Sequence, residues 1–331
     1  MFEQKLDLEG GDQASAVRGY VGVMPRFSKS AVAVMIFPLA GWILLANGRV
    51  YLATNNAVSL VKTYLARWPI YFLFFAVTIL WEWWRPAETG PGRTRGLRQD
   101  IWWFLAAPFL GAAVPFAGVV AATWAHQRIL RGFALPGATE LPTAVRIVAV
   151  LLVTDLLLYL THVARHRVPV LWRFHAVHHS QSHLNFFTEE RQHPIEVLFA
   201  RCFIALIFLV LGVPRSLGVP LSLLTWWHGH LVHANVRSRL GPLGAVFVSP
   251  QWHRVHHSRC VAHFDRNYGT HLTVWDRLFG TALDDPTLYP PTGLSSLATE
   301  KAGPMAVLRL LKAPYLADTE TGRERLAAKR V

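Results

Sequence analysis

Charged residues are scarce in this sequence of 331 residues: Asp, Glu, Lys and Arg make up 16% of it, against about 25% in typical soluble domains. Hydrophobic residues make up 52%. This balance excludes a disordered chain and argues against an ordinary cytosolic enzyme. Cysteine is also scarce, since Cys202 and Cys260 are the only two. Two cysteines exclude a disulfide framework and a cysteine-based zinc or iron–sulfur site.

Acidic residues are outnumbered by basic ones, and the net charge is +13. A basic balance often signals nucleic acid binding, but no basic block with such a motif is present, so we predict no nucleic acid partner. The charges fit loops that flank membrane spans. Arg outnumbers Lys by 27 to 6, which is typical of a GC-rich bacterial genome. The sequence therefore predicts a bacterial inner-membrane protein.

Long apolar runs dominate the first half of the chain. Four of them are predicted to be membrane spans, although several are shorter than the roughly 20 residues a span needs; they cover residues 31–46, 68–81, 101–125 and 147–161. Two more runs, 197–213 and 219–227, are joined around Pro214 and Pro220 and predict a helical hairpin that returns to the same side. The predicted fold class is all-α: an integral membrane helical bundle of about four spans plus this hairpin, with a cytosolic histidine-rich helical cap.

Four parts follow from this pattern. They are a cytosolic tail over 1–29, N-terminal transmembrane spans over 30–143, a histidine-box domain over 144–285, and a C-terminal tail over 286–331 that holds an amphipathic helix. Lys and Arg number four in the tail and then three, four and three in the next loops. This alternation favours a cytosolic N-terminus, so four spans bring the chain back to the cytosol before His162.

Histidine is unevenly distributed: His126 stands alone, and the other 15 of the 16 lie between His162 and His271. Three boxes stand out, namely His162-x-x-x-His166, His175-x-x-His178-His179 and His253-x-x-His256-His257. Spacings of three and four place imidazoles on one face of a helix. Ser249 followed by Pro250 predicts the start of the helix that carries the third box.

The boxes predict two metal ions, because eight imidazoles exceed what one tetrahedral zinc needs. Imidazole suits Zn, Cu, Fe and Ni. A histidine-only shell leaves the metal charge uncancelled, and such an electrophilic centre can bind O₂ and abstract hydrogen from an unactivated C–H bond. Two alternatives stay open: a metal transporter or metal-binding membrane protein without oxygenase activity, and a haem or quinone protein. The boxes flank the spans, which counts against transport.

The three boxes are similar to those of the fatty acid hydroxylase/sterol desaturase superfamily of integral membrane di-iron oxygenases. Two longer stretches strengthen the resemblance, which covers residues 144–285: His175 through Asn185, Thr188, Arg191 and His193-Pro194 to Glu196, and Ser249 through Asn267-Tyr-Gly to Trp275-Asp-Arg-Leu-Phe-Gly-Thr281. The second ends as in the sterol desaturase branch. The resemblance implies hydroxylation, oxidative demethylation or desaturation of a sterol-like, fatty acyl or other apolar lipid taken from the bilayer.

The same resemblance implies two non-haem irons, which zinc can replace in an overexpressed sample, and O₂ as co-substrate. It assigns metal ligation to nine residues: His162, His166, His175, His178, His179, His233, His253, His256 and His257. Three weaker metal candidates are His193, His228 and His230. The sequence has no His-Pro-Gly-Gly element of cytochrome b5 type. We therefore expect electrons from a separate ferredoxin or cytochrome b5-type donor with its reductase.

Asp155 is a carboxylate inside an apolar run, which is costly unless it is functional or paired. It lies seven residues before His162 and so on the same helical face. Two interpretations stay open: an acceptor that orients a metal-bound imidazole, or a partner in an interhelical hydrogen bond or an ion pair. Three glutamates could orient imidazoles in the same way, namely Glu189, Glu190 and Glu196.

Overall fold

The computed structural model describes residues 73–294 and 303–316, apart from 112, 134–136, 138–139 and 212–214. Ten α-helices lie in this part of the chain: α1 (Leu73–Trp84), α2 (Pro91–Gly111), α3 (Ala113–Arg128), α4 (Thr143–Arg167), α5 (Pro169–His179), α6 (Pro194–Val210), α7 (Arg215–His233), α8 (Pro250–His256), α9 (Val274–Leu278) and α10 (Pro304–Leu316). Short 3₁₀ turns cover Phe186–Glu190, Gly241–Ala245 and Val261–His263. The described residues form no strand beyond isolated bridges, which confirms the predicted helical class there.

One helix among the described residues, α4, is long and apolar enough to cross a membrane. Exposed apolar side chains such as Val148, Leu152 and Leu160 line it. Its range contains the predicted fourth span. The first predicted span lies outside the described residues, and the second is described only from Leu73, in the short apolar helix α1.

The other predicted apolar runs form helices with different bounds. Residues 101–125 are divided between α2 and α3, and the predicted hairpin corresponds to α6 and α7. α6 begins directly after His193 and α7 ends at His233, so these two helices lie between the second and third histidine boxes in the sequence. The helix predicted in the C-terminal tail is present as α10, which packs on α2 and α5 through Val307 and Leu310.

The histidine-rich helices meet because short local signals start and stop them. Val168 is extended before Pro169, which separates α4 from α5 without a loop. The Ser249 hydroxyl accepts the N–H of Trp252 at 3.2 Å and caps α8, as the sequence predicts. His193 accepts the N–H of Ile195 at the start of α6. α4 packs on α5, and α7 packs on α8. A contact between His178 of α5 and His233 of α7 joins the two pairs, so the four helices converge.

Candidate metal centre

Nine buried histidines gather in two groups where these helices meet. Within each group, one ring nitrogen of every residue lies within 4.8 Å of the others. Cluster A consists of His162, His166, His175, His179 and His256, and cluster B of His178, His233, His253 and His257. These are the nine residues to which the sequence assigned metal ligation. The structure brings all nine together, from segments up to 95 positions apart between His162 and His257.

The two HxxHH boxes contribute to the clusters reciprocally. On α5, His175 and His179 belong to cluster A and His178 to cluster B. At α8 the assignment is reversed, since His256 belongs to cluster A while the residues three before and one after it belong to cluster B. In each HxxHH box, the two histidines that are four positions apart belong to the same cluster, as expected for neighbours on a helix face. Each HxxHH box therefore supplies both clusters, which the sequence did not predict.

The Nε2 atoms converge closely. In cluster A, the Nε2 of His175 lies 3.1 Å from that of His162 and 3.2 Å from that of His179. In cluster B, the Nε2 of His233 lies 3.0 Å from that of His178 and 2.9 Å from that of His253. Two nitrogens about 2.1 Å from one metal ion and about 90° apart are themselves about 3.0 Å apart. The spacing thus fits one ion in each cluster.

The ring nitrogens that point away from the clusters, here called the outer nitrogens, fix the tautomers of four imidazoles. Nδ1 donates to a backbone carbonyl in four of the rings: His162 to Tyr268 at 2.8 Å, His256 to Arg266 at 2.9 Å, His178 to Arg191 at 3.2 Å and His233 to Gly229 at 2.7 Å. Carbonyl oxygens only accept, so Nδ1 carries the proton and Nε2 of a neutral ring presents a lone pair. Lone pairs that face each other at about 3 Å repel unless they share a cation. The donor set therefore fits a metal ion.

Burial favours the neutral rings that metal binding needs. Burial and neighbouring imidazoles hold the pKa of His178, of His253 and of His257 well below the ordinary value for histidine. A positively charged ring would lose its solvation in this buried setting and would lie close to several other imidazoles. These imidazoles are consequently available as donors rather than blocked by protons.

Two carboxylates contact imidazoles of the clusters. Glu196 accepts the Nδ1–H of His175 at 2.8 Å and pairs with Arg165 at 2.9 Å. Glu189 lies 3.2 Å from the Nδ1 of His233. Each cluster therefore has one carboxylate on the outer nitrogen of one of its rings, an arrangement that fixes ring orientation and strengthens the ligand.

Asp155 orients a loop rather than an imidazole. Its carboxylate accepts the backbone N–H groups of His271 and Leu272, both at 3.0 Å, and the indole N–H of Trp275 at 2.9 Å. The second of the two interpretations left open by the sequence therefore describes its contacts. The acceptor for the N–H of His162 is the carbonyl of Tyr268, in the same loop.

The three weaker metal candidates lie outside both clusters. His193 caps α6 and its Nε2 contacts the carbonyl of Leu311 at 3.2 Å. The Nδ1 of His228 lies 3.0 Å from the Nδ1 of His271. His230 donates from Nδ1 to the carbonyl of Trp226 at 2.9 Å. Their contacts are thus with helix ends and neighbouring side chains.

The loop of residues 264–273 carries the carbonyls of Arg266 and Tyr268 that accept from the imidazoles. The groups that hold this loop in place were missed by sequence reasoning. Asn267 has a φ of 56°, and a side chain at Gly269 would place its Cβ 2.7 Å from the carbonyl oxygen of Leu272. Asp276 is fully buried and accepts the N–H groups of Tyr268 and Gly269 at 2.7 and 2.8 Å. The stretches Asn267-Tyr-Gly and Trp275 to Thr281, noted above only as a resemblance, were the available signal.

A second buried network holds the acceptor of His178. Arg191 and Asp100 pair at 2.7 Å with side chains 1% and 0% exposed. The hydroxyl of Thr188 donates to the same carboxylate at 2.7 Å, and Arg191 donates to the hydroxyl of Ser180 at 2.9 Å. The carbonyl of Arg191 then receives the Nδ1–H of His178. A buried ion pair between Asp100 of α2 and Arg191 is in this way linked to cluster B.

The fold and the site define a helical protein with a histidine-only centre suited to two metal ions. Residues 147–281, which contain both clusters, match the family model described as fatty acid hydroxylase. This match confirms the resemblance to the superfamily seen in the sequence. No solved structure was found to match the chain.

Curated relatives match the same part of the chain. Ornithine lipid hydroxylase OlsE of Rhizobium tropici is 37% identical over 145 residues, 44% of this chain and 44% of its own. Alkylglycerol monooxygenase of Caenorhabditis elegans is 33% identical over 142 residues, 41% of this chain and 27% of its own. A cholesterol 25-hydroxylase-like protein of Danio rerio is 32% identical over 152 residues, 43% of this chain and 59% of its own. The chain spans less than half the length of the first two.

Proposed function

We propose that the chain is a membrane-bound, O₂-dependent di-iron oxygenase that hydroxylates a lipid C–H bond. The observation that carries this proposal is the pair of buried clusters, in which each of nine imidazoles places one ring nitrogen within 4.8 Å of the others in its cluster. The irons, when bound, would supply the activation of O₂ and the removal of hydrogen from carbon. The chain's residues hold them: cluster A supplies five nitrogens and cluster B four.

Hydroxylation is favoured over desaturation by the relatives, which are named as hydroxylases and monooxygenases. In a hydroxylation one oxygen atom enters the C–H bond and the other leaves as water, at the cost of two electrons and two protons. We propose that a separate ferredoxin or cytochrome b5-type protein with its reductase supplies the electrons. The lipid would reach the clusters from the bilayer beside α4.

The proposed topology is multi-pass in a bacterial inner membrane, with both clusters on the cytosolic side. Cluster A joins His162 at the end of α4 to His256 beyond α7, and cluster B joins His178 to His253. Residues before α6 and after α7 must therefore lie on one side of the membrane. This supports the proposal that α6 and α7 form a hairpin which enters the bilayer and returns.

The test combines metal content with lipid analysis. Anaerobic loading with Fe(II) should give two irons per folded chain, and zinc in an aerobic preparation would not contradict this, since Zn(II) outcompetes Fe(II). Lipid extracts of cells that make the protein should contain a species one oxygen atom heavier, absent with His178→Ala. One or no metal would refute the di-metal centre. Two metals without any O₂-dependent lipid product would instead favour the metal-binding alternative.

A further inference from the structure

We propose that Glu189 is a positioning residue for cluster B, which orients His233 and strengthens it as a ligand, and that Gly229 is required to leave room for it. This inference rests on the proposed di-metal function. His233 contacts two other members of its cluster through Nε2, at 3.0 Å from His178 and 2.9 Å from His253. The direction of its ring therefore decides how those nitrogens converge.

The outer nitrogen of His233, Nδ1, has a backbone carbonyl and a carboxylate beside it. Nδ1 donates to the carbonyl of Gly229 at 2.7 Å, and the Oε2 of Glu189 lies 3.2 Å away. Elsewhere in cluster B, the Nδ1 atoms of His253 and His257 are buried and have no acceptor among the described residues. Of the four cluster B rings, His233 is thus the one with a carboxylate contact in this part of the chain.

The surroundings hold the carboxylate of Glu189 in place. It lies in the 3₁₀ turn Phe186–Glu190, which Asn185 caps and which packs on α7. The side-chain amide of Gln192 donates to its Oε1 at 3.2 Å. A Cβ at position 229 would lie 3.0 Å from Oε1 and 3.1 Å from Cδ of Glu189. A side chain at 229 would therefore push the carboxylate from its position beside His233, by a few tenths of an ångström in the case of alanine.

Charge gives the contact a chemical role. Cluster B offers four neutral nitrogens where cluster A offers five. In cluster A, Glu196 shares its charge between His175 and Arg165. No Lys or Arg forms an ion pair with Glu189 among the residues the structure describes. Its carboxylate thus contacts His233 without an ion-pair partner that shares it, and a carboxylate on the outer nitrogen raises the basicity of the ligand. The carboxylate contact of Glu189 compensates for the smaller number of nitrogens in cluster B.

The experiment is a metal competition on the full chain purified in detergent. The chain is loaded anaerobically with Co(II) and titrated with a chelator, and bound cobalt is followed by elemental analysis and visible absorption. The titration is run at about pH 8, well above the ordinary range for a carboxyl group. The wild type should hold two ions. Glu189→Gln should keep one and bind the other about 10–100-fold more weakly.

Gly229→Ala should weaken the same ion, and the double variant should be no worse than the poorer single variant, since both changes remove one contact. The matched control is Glu190→Gln, whose side chain contacts Trp226 and His230 instead and which should retain both ions unchanged. Wild-type affinity for both ions in Glu189→Gln would overturn the inference, as would equal weakening of both. A wild type that binds fewer than two ions would refute the proposed function itself.

Discussion

The carbonyl oxygen of Tyr268 accepts the Nδ1–H of His162 at 2.8 Å, across 106 positions of sequence. The carbonyl of Arg266, two residues earlier, accepts the Nδ1–H of His256. One short loop therefore orients imidazoles from the first and third boxes, and both belong to cluster A. Positive φ angles at Asp265 and Asn267 allow alternate carbonyls to point at the rings.

Asp276→Asn should loosen this loop. The carboxylate accepts the N–H groups of Tyr268 and Gly269, the hydroxyl of Thr281 and the indole N–H of Trp252. An amide would turn a donor toward one of these donors, and a buried unsatisfied group costs about 1–3 kcal/mol. We expect a lower melting temperature and weaker metal binding at cluster A than at cluster B. Thermal unfolding and the chelator titration measure both.

The control for this substitution is Asp284→Asn. Asp284 is exposed and pairs with Arg239 and Arg277 at the surface, where an ion pair is worth about 0–1 kcal/mol. It should change neither measurement appreciably. Equal effects of the two substitutions would contradict the role given to Asp276.

Asp100→Asn should be the more destabilising change. Removing one charge leaves Arg191 buried at 1% exposure without its counter-ion. Loss of one partner of a buried pair typically costs about 3–5 kcal/mol. Because the carbonyl of Arg191 receives the N–H of His178, cluster B should also lose affinity. Chemical denaturation in detergent gives the free energy, and a loss below about 1 kcal/mol would show that the pair is dispensable.

Single ligand deletions should separate the two clusters. His256→Ala removes a nitrogen from cluster A and His178→Ala one from cluster B, so each should abolish activity and lower metal content from two ions toward one. His126→Ala should do neither, because that ring lies outside the clusters and contacts the carbonyl of Phe133. Comparable damage from His126→Ala would mean that histidine clustering is not the functional signal.

The box spacing predicted much of this site because helices convert spacing into direction. His162 and His166 lie one turn apart, and Ser249-Pro250 starts α8 as predicted. That all nine assigned histidines meet is confirmed; that they bind metal stays a prediction. The helical class was predictable from the apolar runs, whereas the division of residues 101–125 between two helices was not.

Other features of the site cannot be predicted from the periodicity of the sequence. The acceptors at Arg266 and Tyr268 are backbone carbonyls, and any residue type has one. Asp155 lies on the histidine face of α4, yet its partners are N–H groups of a loop 116 and 117 positions away. The division of each HxxHH box between two clusters depends on how α5 and α8 cross, which is a tertiary property. Such features require long-range contacts to be known.

Membrane topology is the last prediction, because a shared site requires it. A hydrocarbon core is about 30 Å thick, whereas the cluster members approach each other within 4.8 Å. A single crossing between His179 and His253 would place the third box beyond reach of the others. The chain must therefore cross an even number of times between them, as a hairpin of α6 and α7 does.

Single cysteines introduced in a Cys202→Ser, Cys260→Ser background test this. Arg173 and Arg259 are exposed positions before and after the hairpin, and Arg128 is the exposed last residue of α3. Each is replaced by cysteine in turn. In sealed right-side-out membranes, an impermeant thiol reagent should label position 128 directly and the other two only after lysis. Labelling of 173 and 259 on opposite sides would exclude a common centre. Labelling of both in intact membranes would keep the centre but place it outside the cytosol, away from reduced electron carriers.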